Sequence, residues 1–159
     1  MTVPRVLFVC TGNLCRSPLA AGLFAARCGT RLSTAWTVDS AGLHAREGLA
    51  PAAPAIAVAE EHGVDISAKR SRCFVHEDFA RFDHIVAMDR GHLDFLSATC
   101  PPAYRGRIAL LEDERGQPIE VPDPYGRPLR AFRHAAQLLV TGIAVLLEDL
   151  EKEGSGSRT

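Results

Sequence analysis

The 159-residue chain has no surplus of charge: 18 lysines and arginines stand against 19 aspartates and glutamates, a formal net charge of -1. That balance leaves no basic stripe for nucleic acid and no polyanionic tail, so any recognition of an anion has to be local. No apolar run approaches the roughly 20 residues that span a bilayer. The chain also passes from Met1 straight into a short apolar stretch without the layout of a secretory signal. Both absences point to a cytoplasmic protein with no membrane partner. The five cysteines, Cys10, Cys15, Cys28, Cys73 and Cys100, are odd in number and unevenly spaced, which argues against a disulfide scaffold and for thiols kept reduced. No second close cysteine pair follows Cys10 and Cys15, and none of the six histidines stands in H-E-x-x-H spacing, so no metal site is expected. There is no internal repeat.

What is present suffices for one domain: 47% of the residues are hydrophobic, enough for a core that folds alone. Arg5 to Val9 (RVLFV) is a continuous apolar run, the mark of a strand buried on both faces. Ser17-Pro18 reads as a helix start, with proline in the first turn and serine as the cap, and Leu19, Leu23 and Phe24 as the buried face. Further strands fit Trp36 to Ser40, His84 to Met88 and Arg107 to Leu111. Helices fit Ala52 to His62, closed by Gly63, and Arg90 to Ala98. Phe132, Ala136, Leu139, Ile143, Leu146 and Leu150 mark a long terminal helix at 3.6-residue spacing. Alternating strands and helices predict an α/β three-layer sandwich, a four-stranded parallel sheet in the order 2-1-3-4 with helices on both faces. The domain is read as residues 1–152, and EGSGSRT at 153–159, with nothing to bury, as a disordered tail. Glu112 to Pro128 is left as one long loop, a length that is usually functional or disordered.

The loop after the first strand carries the chemistry. Cys10-Thr11-Gly12-Asn13-Leu14-Cys15-Arg16-Ser17-Pro18 sets a cysteine and an arginine on either side of five residues, directly between a strand and a helix. Backbone amides in such a turn can point inward as an anion nest, and the following helix adds its positive end, so an oxyanion is held without a cofactor. Arg16 adds a rigid fork matched to two phosphate oxygens. The same field favours a sulfur anion, which makes Cys10 a nucleophile that needs no histidine base. Ser17 is placed to donate its hydroxyl to that sulfur, and Asn13 suits a left-handed turn. Singly, each residue has an ordinary explanation as a core thiol, a turn residue or a surface charge. Their combination in a strand-loop-helix context is what points to phosphate.

At these residues the sequence resembles the low-molecular-weight protein tyrosine phosphatases, whose phosphate loop reads C-x-G-N-x-C-R-S-P. The likeness continues through Ser40-Ala-Gly42, Asp78-Phe, Phe82-Asp, Ala87-Met-Asp89 and Asp123-Pro-Tyr125-Gly126, in the family's order. It implies phosphotyrosine hydrolysis through a phosphocysteine on Cys10, with Thr11 to Cys15 and Ser17 cradling phosphate beside Arg16. By the same likeness Asp123 is the general acid and then the base, Tyr125 an aromatic wall, and Ser40 a support bonding Asn13. The implied partner is a phosphotyrosine protein, and the implied state a monomer or weak dimer. Three departures stand out: Ala68 where many relatives have a histidine that stiffens the loop, Leu43-His44-Ala45-Arg46 where a rim tryptophan is frequent, and Gly126 where a second tyrosine often follows. Cys15 is close enough in sequence to form a disulfide with Cys10 under peroxide, which would protect the nucleophile.

Two rivals share the loop. A protein-arginine phosphatase of the same fold is implied to carry threonine where this chain has Leu14. A thiol-dependent arsenate reductase needs a close pair of relay cysteines beyond the third strand, and none follows Met88-Asp89-Arg90.

Overall fold

The computed structural model describes residues 3–31 and 35–156. Its elements run β1 (Arg5–Cys10), α1 (Arg16–Arg31), β2 (Thr37–Gly42), α2 (Ala53–Glu61), α3 (Asp78–Arg81), β3 (His84–Ala87) and α4 (Arg90–Thr99). A 3-10 turn (Pro102–Arg107) leads to β4 (Ile108–Glu112), β5 (Pro118–Ile119) and α5 (Leu129–Gly156). The sheet order is β2-β1-β3-β4-β5. The first four strands are parallel, as the alternation predicts.

A fifth strand corrects the predicted count of four. Within the segment read as one long loop, Leu111 and Glu112 pair antiparallel with Ile119 and Pro118. Gly116, at φ 78°, turns the hairpin, and the Asp113 carboxylate accepts from the amides of Arg115 and Gln117. Two paired residues are too few for a periodic signal, and proline is tolerated there because this is an edge strand.

The apolar run of β1 is buried on both faces. Val6 and Phe8 face a core shared by α1, α2 and α5, with Leu19, Leu23, Phe24, Val58, Phe132, Leu139 and Ile143. Leu7 and Val9 face the other layer, with Phe79, Phe82, Ile85, Leu96 and Cys100. Gly22 brings α1 close to Ile66 and Gly142 brings α5 close to Leu111; a Cβ would lie 2.5 Å and 2.7 Å from those side chains. The buried stripe of α5 runs through Leu147, with Leu146 only half-buried, a one-residue correction to the predicted face. By length and composition α5 could cross a membrane, yet its apolar stripe packs on the sheet and α1. Leu150 is its last core residue. The helix continues to Gly156, four residues into the stretch read as a tail, and residues 157–159 lie outside the described residues. The carboxyl ends of β1, β2 and β3 converge on one edge, where a crevice forms as the strand order reverses about β1.

Candidate active site

The loop from Cys10 to Arg16 turns through Asn13, whose φ is 58°, a left-handed conformation that asparagine adopts more readily than most residues. Buried there, its amide uses every polar atom. Nδ2 donates to Ser17 Oγ at 2.8 Å and to Ser40 Oγ at 2.9 Å, and Oδ1 accepts from the Arg72 amide at 3.0 Å. Ser40 therefore bonds Asn13 as the resemblance implied. Ala68 supplies no polar group to this network, which is closed instead by a main-chain amide. Arg72 is itself fixed: its carbonyl accepts from Gly42 N at 3.0 Å. Its guanidinium grips the fully buried Asp78 at 2.9 Å and 3.2 Å and Asp39 at 3.0 Å. Gly42, at the end of β2, comes so close to the loop that a Cβ would lie 2.6 Å from Thr11 O and 2.9 Å from Asn13 N.

The sulfur of Cys10 lies 3.0 Å from Ser17 Oγ and accepts from Asn13 N at 3.3 Å. Ser17 thus lies inside the first turn with its hydroxyl turned to the thiol and to Ala41 O, which corrects its reading as a helix cap. Arg16 is only 4% exposed. Its Nη1 donates to Asp89 Oδ2 at 3.0 Å and to Val121 O at 2.9 Å, while Nη2 stands 4.0 Å from Asp123 Oδ2. One edge of the guanidinium is clamped from behind and the other is left for a ligand. Burial works against the Asp89 carboxylate, but His92 and Arg16 outweigh it and hold its carboxyl below the usual range. Cys15 is pushed up to about 12, first by burial and then by Cys10 and Asp123, with Arg16 opposing.

Cys10, Thr11, Gly12, Leu14, Cys15, Arg16, Asp123 and Tyr125 line one cavity of about 210 Å³. The site thus brings together the loop and the distant aspartate-tyrosine pair, while Asn13, Ser17 and Ser40 lie behind it. Asp123 is well exposed and accepts from Tyr125 N at 3.1 Å, and Tyr125 is 64% exposed. A buried sulfur beside a hydroxyl and an amide donor, a guanidinium with one free edge, and a carboxylate at the mouth can perform nucleophilic displacement on a tetrahedral oxyanion. Among the described residues no group of three or more His, Cys, Asp or Glu could hold a metal ion.

Sequence reasoning gave no role to Asp89, His92, Arg72 or Gly42. Asp89 caps α4 by accepting from His92 N, a signal that was legible, but its pairing with an arginine 73 residues away was not.

Compared with known proteins, residues 5–156 match the family described as low molecular weight phosphotyrosine protein phosphatase. The chain is 36% identical over 149 residues to a protein-arginine-phosphatase of Geobacillus stearothermophilus, covering 94% of this chain and 97% of that one. It is 32% identical over 161 residues to a low molecular weight protein-tyrosine-phosphatase of Streptomyces coelicolor, with 96% of each covered. The solved structure of a low molecular weight protein tyrosine phosphatase from T. tengcongensis superposes with a TM-score of 0.84 at 38% identity, covering 92% of this chain and 99% of that one.

Proposed function

The chain belongs to the low molecular weight phosphotyrosine protein phosphatase family, a family of phosphoric monoester hydrolases, and from that premise we propose that it hydrolyses phosphotyrosine in proteins through a phosphocysteine on Cys10. The observation that carries the reading is Cys10 Sγ between the Ser17 hydroxyl and the Asn13 amide, at the floor of a cavity whose wall is Arg16. The thiolate attacks phosphorus while loop amides and the free edge of Arg16 hold the non-bridging oxygens. The bond to the leaving phenolate breaks as Asp123 gives it a proton. Asp123, now a carboxylate, takes a proton from water as that water attacks phosphocysteine, and the S–P bond breaks to return the thiolate and free phosphate. Leu14 and Tyr125, both lining the cavity, suit a flat phenyl ring.

The test is p-nitrophenyl phosphate hydrolysis. Cys10→Ser should abolish turnover, and Asp123→Asn should slow it by about 10²–10⁴-fold while phosphate still competes. A fully active Cys10→Ser protein overturns the mechanism.

The 36% identity to a protein-arginine-phosphatase supports a second reading, phosphoarginine as substrate. The apolar Leu14 favours the aryl ester. Matched phosphotyrosine, phosphoserine and phosphoarginine peptides separate the readings by kcat/KM, and a preference for phosphoarginine would replace the first. Against arsenate reduction stands Cys100, buried at the end of α4 with its thiol pushed up by that burial, a poor relay. The same proposal has the enzyme cytoplasmic, free of cofactor, metal, nucleic-acid and membrane partners, and a monomer or weak dimer.

A further inference from the structure

His92 is a buried titratable side chain that the proposed chemistry does not use. It is 5% exposed and lies between the phosphate loop and Asp89. Its Nε2 is 2.8 Å from Thr11 Oγ1 in the phosphate loop. Its Nδ1 is 3.1 Å from Asp89 Oδ1, the carboxylate that holds Arg16. That second contact is bent too far to be a good hydrogen bond, and among the described residues Nδ1 has no other hydrogen-bond partner. Without a proton, Nδ1 would set its lone pair beside an anionic carboxylate oxygen 3.1 Å away in a buried site, and the two would repel, so Nδ1 carries the proton when the ring is neutral. Nε2 is then an acceptor, and the Thr11 hydroxyl must donate to it. The Thr11 backbone cannot turn with its side chain, because its carbonyl accepts from His44 N at 2.9 Å. Only the hydroxyl proton is free to change direction.

We propose that His92 is a positioning residue that sets where the Thr11 hydroxyl points. Neutral, it draws the Thr11 proton away and leaves only oxygen lone pairs toward the cavity that Thr11 lines. Charged, it donates from Nε2 to Thr11 Oγ1 and frees the O–H for an oxygen of the bound anion. Nothing is gained or lost except one proton on the ring. This rests on reading that cavity as the phosphate site. The charged groups facing the ring are Asp89 at the cap of its own helix, Arg16 from α1 and Asp123 from the loop before α5. His44, beyond β2, meets Phe95, one turn along α4, edge to face. Burial lowers the proton affinity of His92, Asp89 and Asp123 oppose it, Arg16 assists it, and the net direction is downward. The switch therefore operates on the acid side of the ordinary histidine range.

An added O–H donor to an anion is worth about tenfold in affinity. Sulfate is the probe, because its charge is constant over the range and phosphate ionisation drops out. Sulfate affinity is measured as competitive inhibition or by NMR titration at about pH 5 and about pH 7.5. The gain toward acid should be about tenfold larger in wild type than in His92→Gln or Thr11→Val, and the double variant should lose no more than either single one. By reciprocity, saturating sulfate should raise the imidazole midpoint of His92 by about one pH unit more in wild type than in Thr11→Val, where the charge of the anion acts alone. That comparison keeps the test open if His92→Gln fails to fold. Equal gains in wild type and variants, or a His92 midpoint that sulfate raises equally in wild type and Thr11→Val, overturns the proposal. If the protein hydrolyses no aryl phosphate, the phosphatase reading fails alone, and the sulfate titration still decides this linkage.

Discussion

Replacing Gly42, which does not line the cavity, with alanine should damage the phosphate loop from behind. The new Cβ would lie 2.6 Å from Thr11 O and 2.9 Å from both Asn13 N and Ala45 Cβ. An ordinary contact needs at least about 3.4 Å, so something must yield by about 0.8 Å. Two of the three obstacles are backbone of the loop itself, and both are held elsewhere: Thr11 O by His44 N, and Asn13 by Ser17, Ser40 and Arg72. Overpacking of this kind costs about 1–3 kcal/mol, while a misplacement approaching 1 Å costs on the order of 10² in rate. The expected result is a kcat/KM for p-nitrophenyl phosphate lowered by about 10²-fold, with a smaller fall in the denaturation midpoint. Gly29→Ala in α1 is the control, because its Cβ meets nothing within 4 Å, and it should be neutral or stabilising. The reasoning is refuted if Gly42→Ala keeps kcat/KM within twofold at unchanged stability.

Asp89→Asn should leave the buried Arg16 with Val121 O as its neutral anchor, costing about 2 kcal/mol of stability and at least tenfold in kcat/KM; chemical denaturation and steady-state kinetics read both. Cys15, pushed up to about 12, should stay unalkylated by iodoacetamide near neutral pH, so mass spectrometry that finds Cys15 labelled ahead of Cys10 would sink that reading. His92 is held below the usual histidine range by burial. The unfolded chain therefore binds the proton more tightly, and stability should fall as pH drops through the ordinary histidine range and continue falling to the folded midpoint. His92→Gln should flatten that part of the stability curve; an unchanged slope in denaturation melts would show that another group is responsible.

The parts of the fold set by short-range rules were readable. The burial of β1 on both faces, the left-handed turn at Asn13 and the start of α1 follow from composition and spacing within a few residues. The terminal helix was readable in period and in phase except at one position: Phe132, Ala136, Leu139, Ile143 and Leu150 are buried as predicted, while Leu147 takes the inner place given to Leu146, because the two are equally apolar and only packing decides between them. Ser17 shows a local rule overruled: a serine before proline is a plausible cap, yet its hydroxyl has a better partner in the Cys10 sulfur, brought there by the loop's return. The pairs behind the site were illegible for another reason. Arg16 meets Asp89 across 73 residues, and Thr11 meets His92 across 81, and only the order of β1 and β3 in the sheet makes these neighbours. The edge hairpin at β5 was too short to leave a pattern.

The segment that carries Asp123 is pinned two residues upstream. Val121 N donates to Met88 O at 2.9 Å, and its carbonyl accepts from Arg16 at 2.9 Å. That double attachment divides the region between the sheet and the mouth of the pocket. Changes in the hairpin tip at Glu114 and Arg115 stop at Val121, so a peptide tag or reporter grafted there should leave catalysis alone, whereas one spliced between Pro122 and Gly126 would uncouple the acid from its arginine.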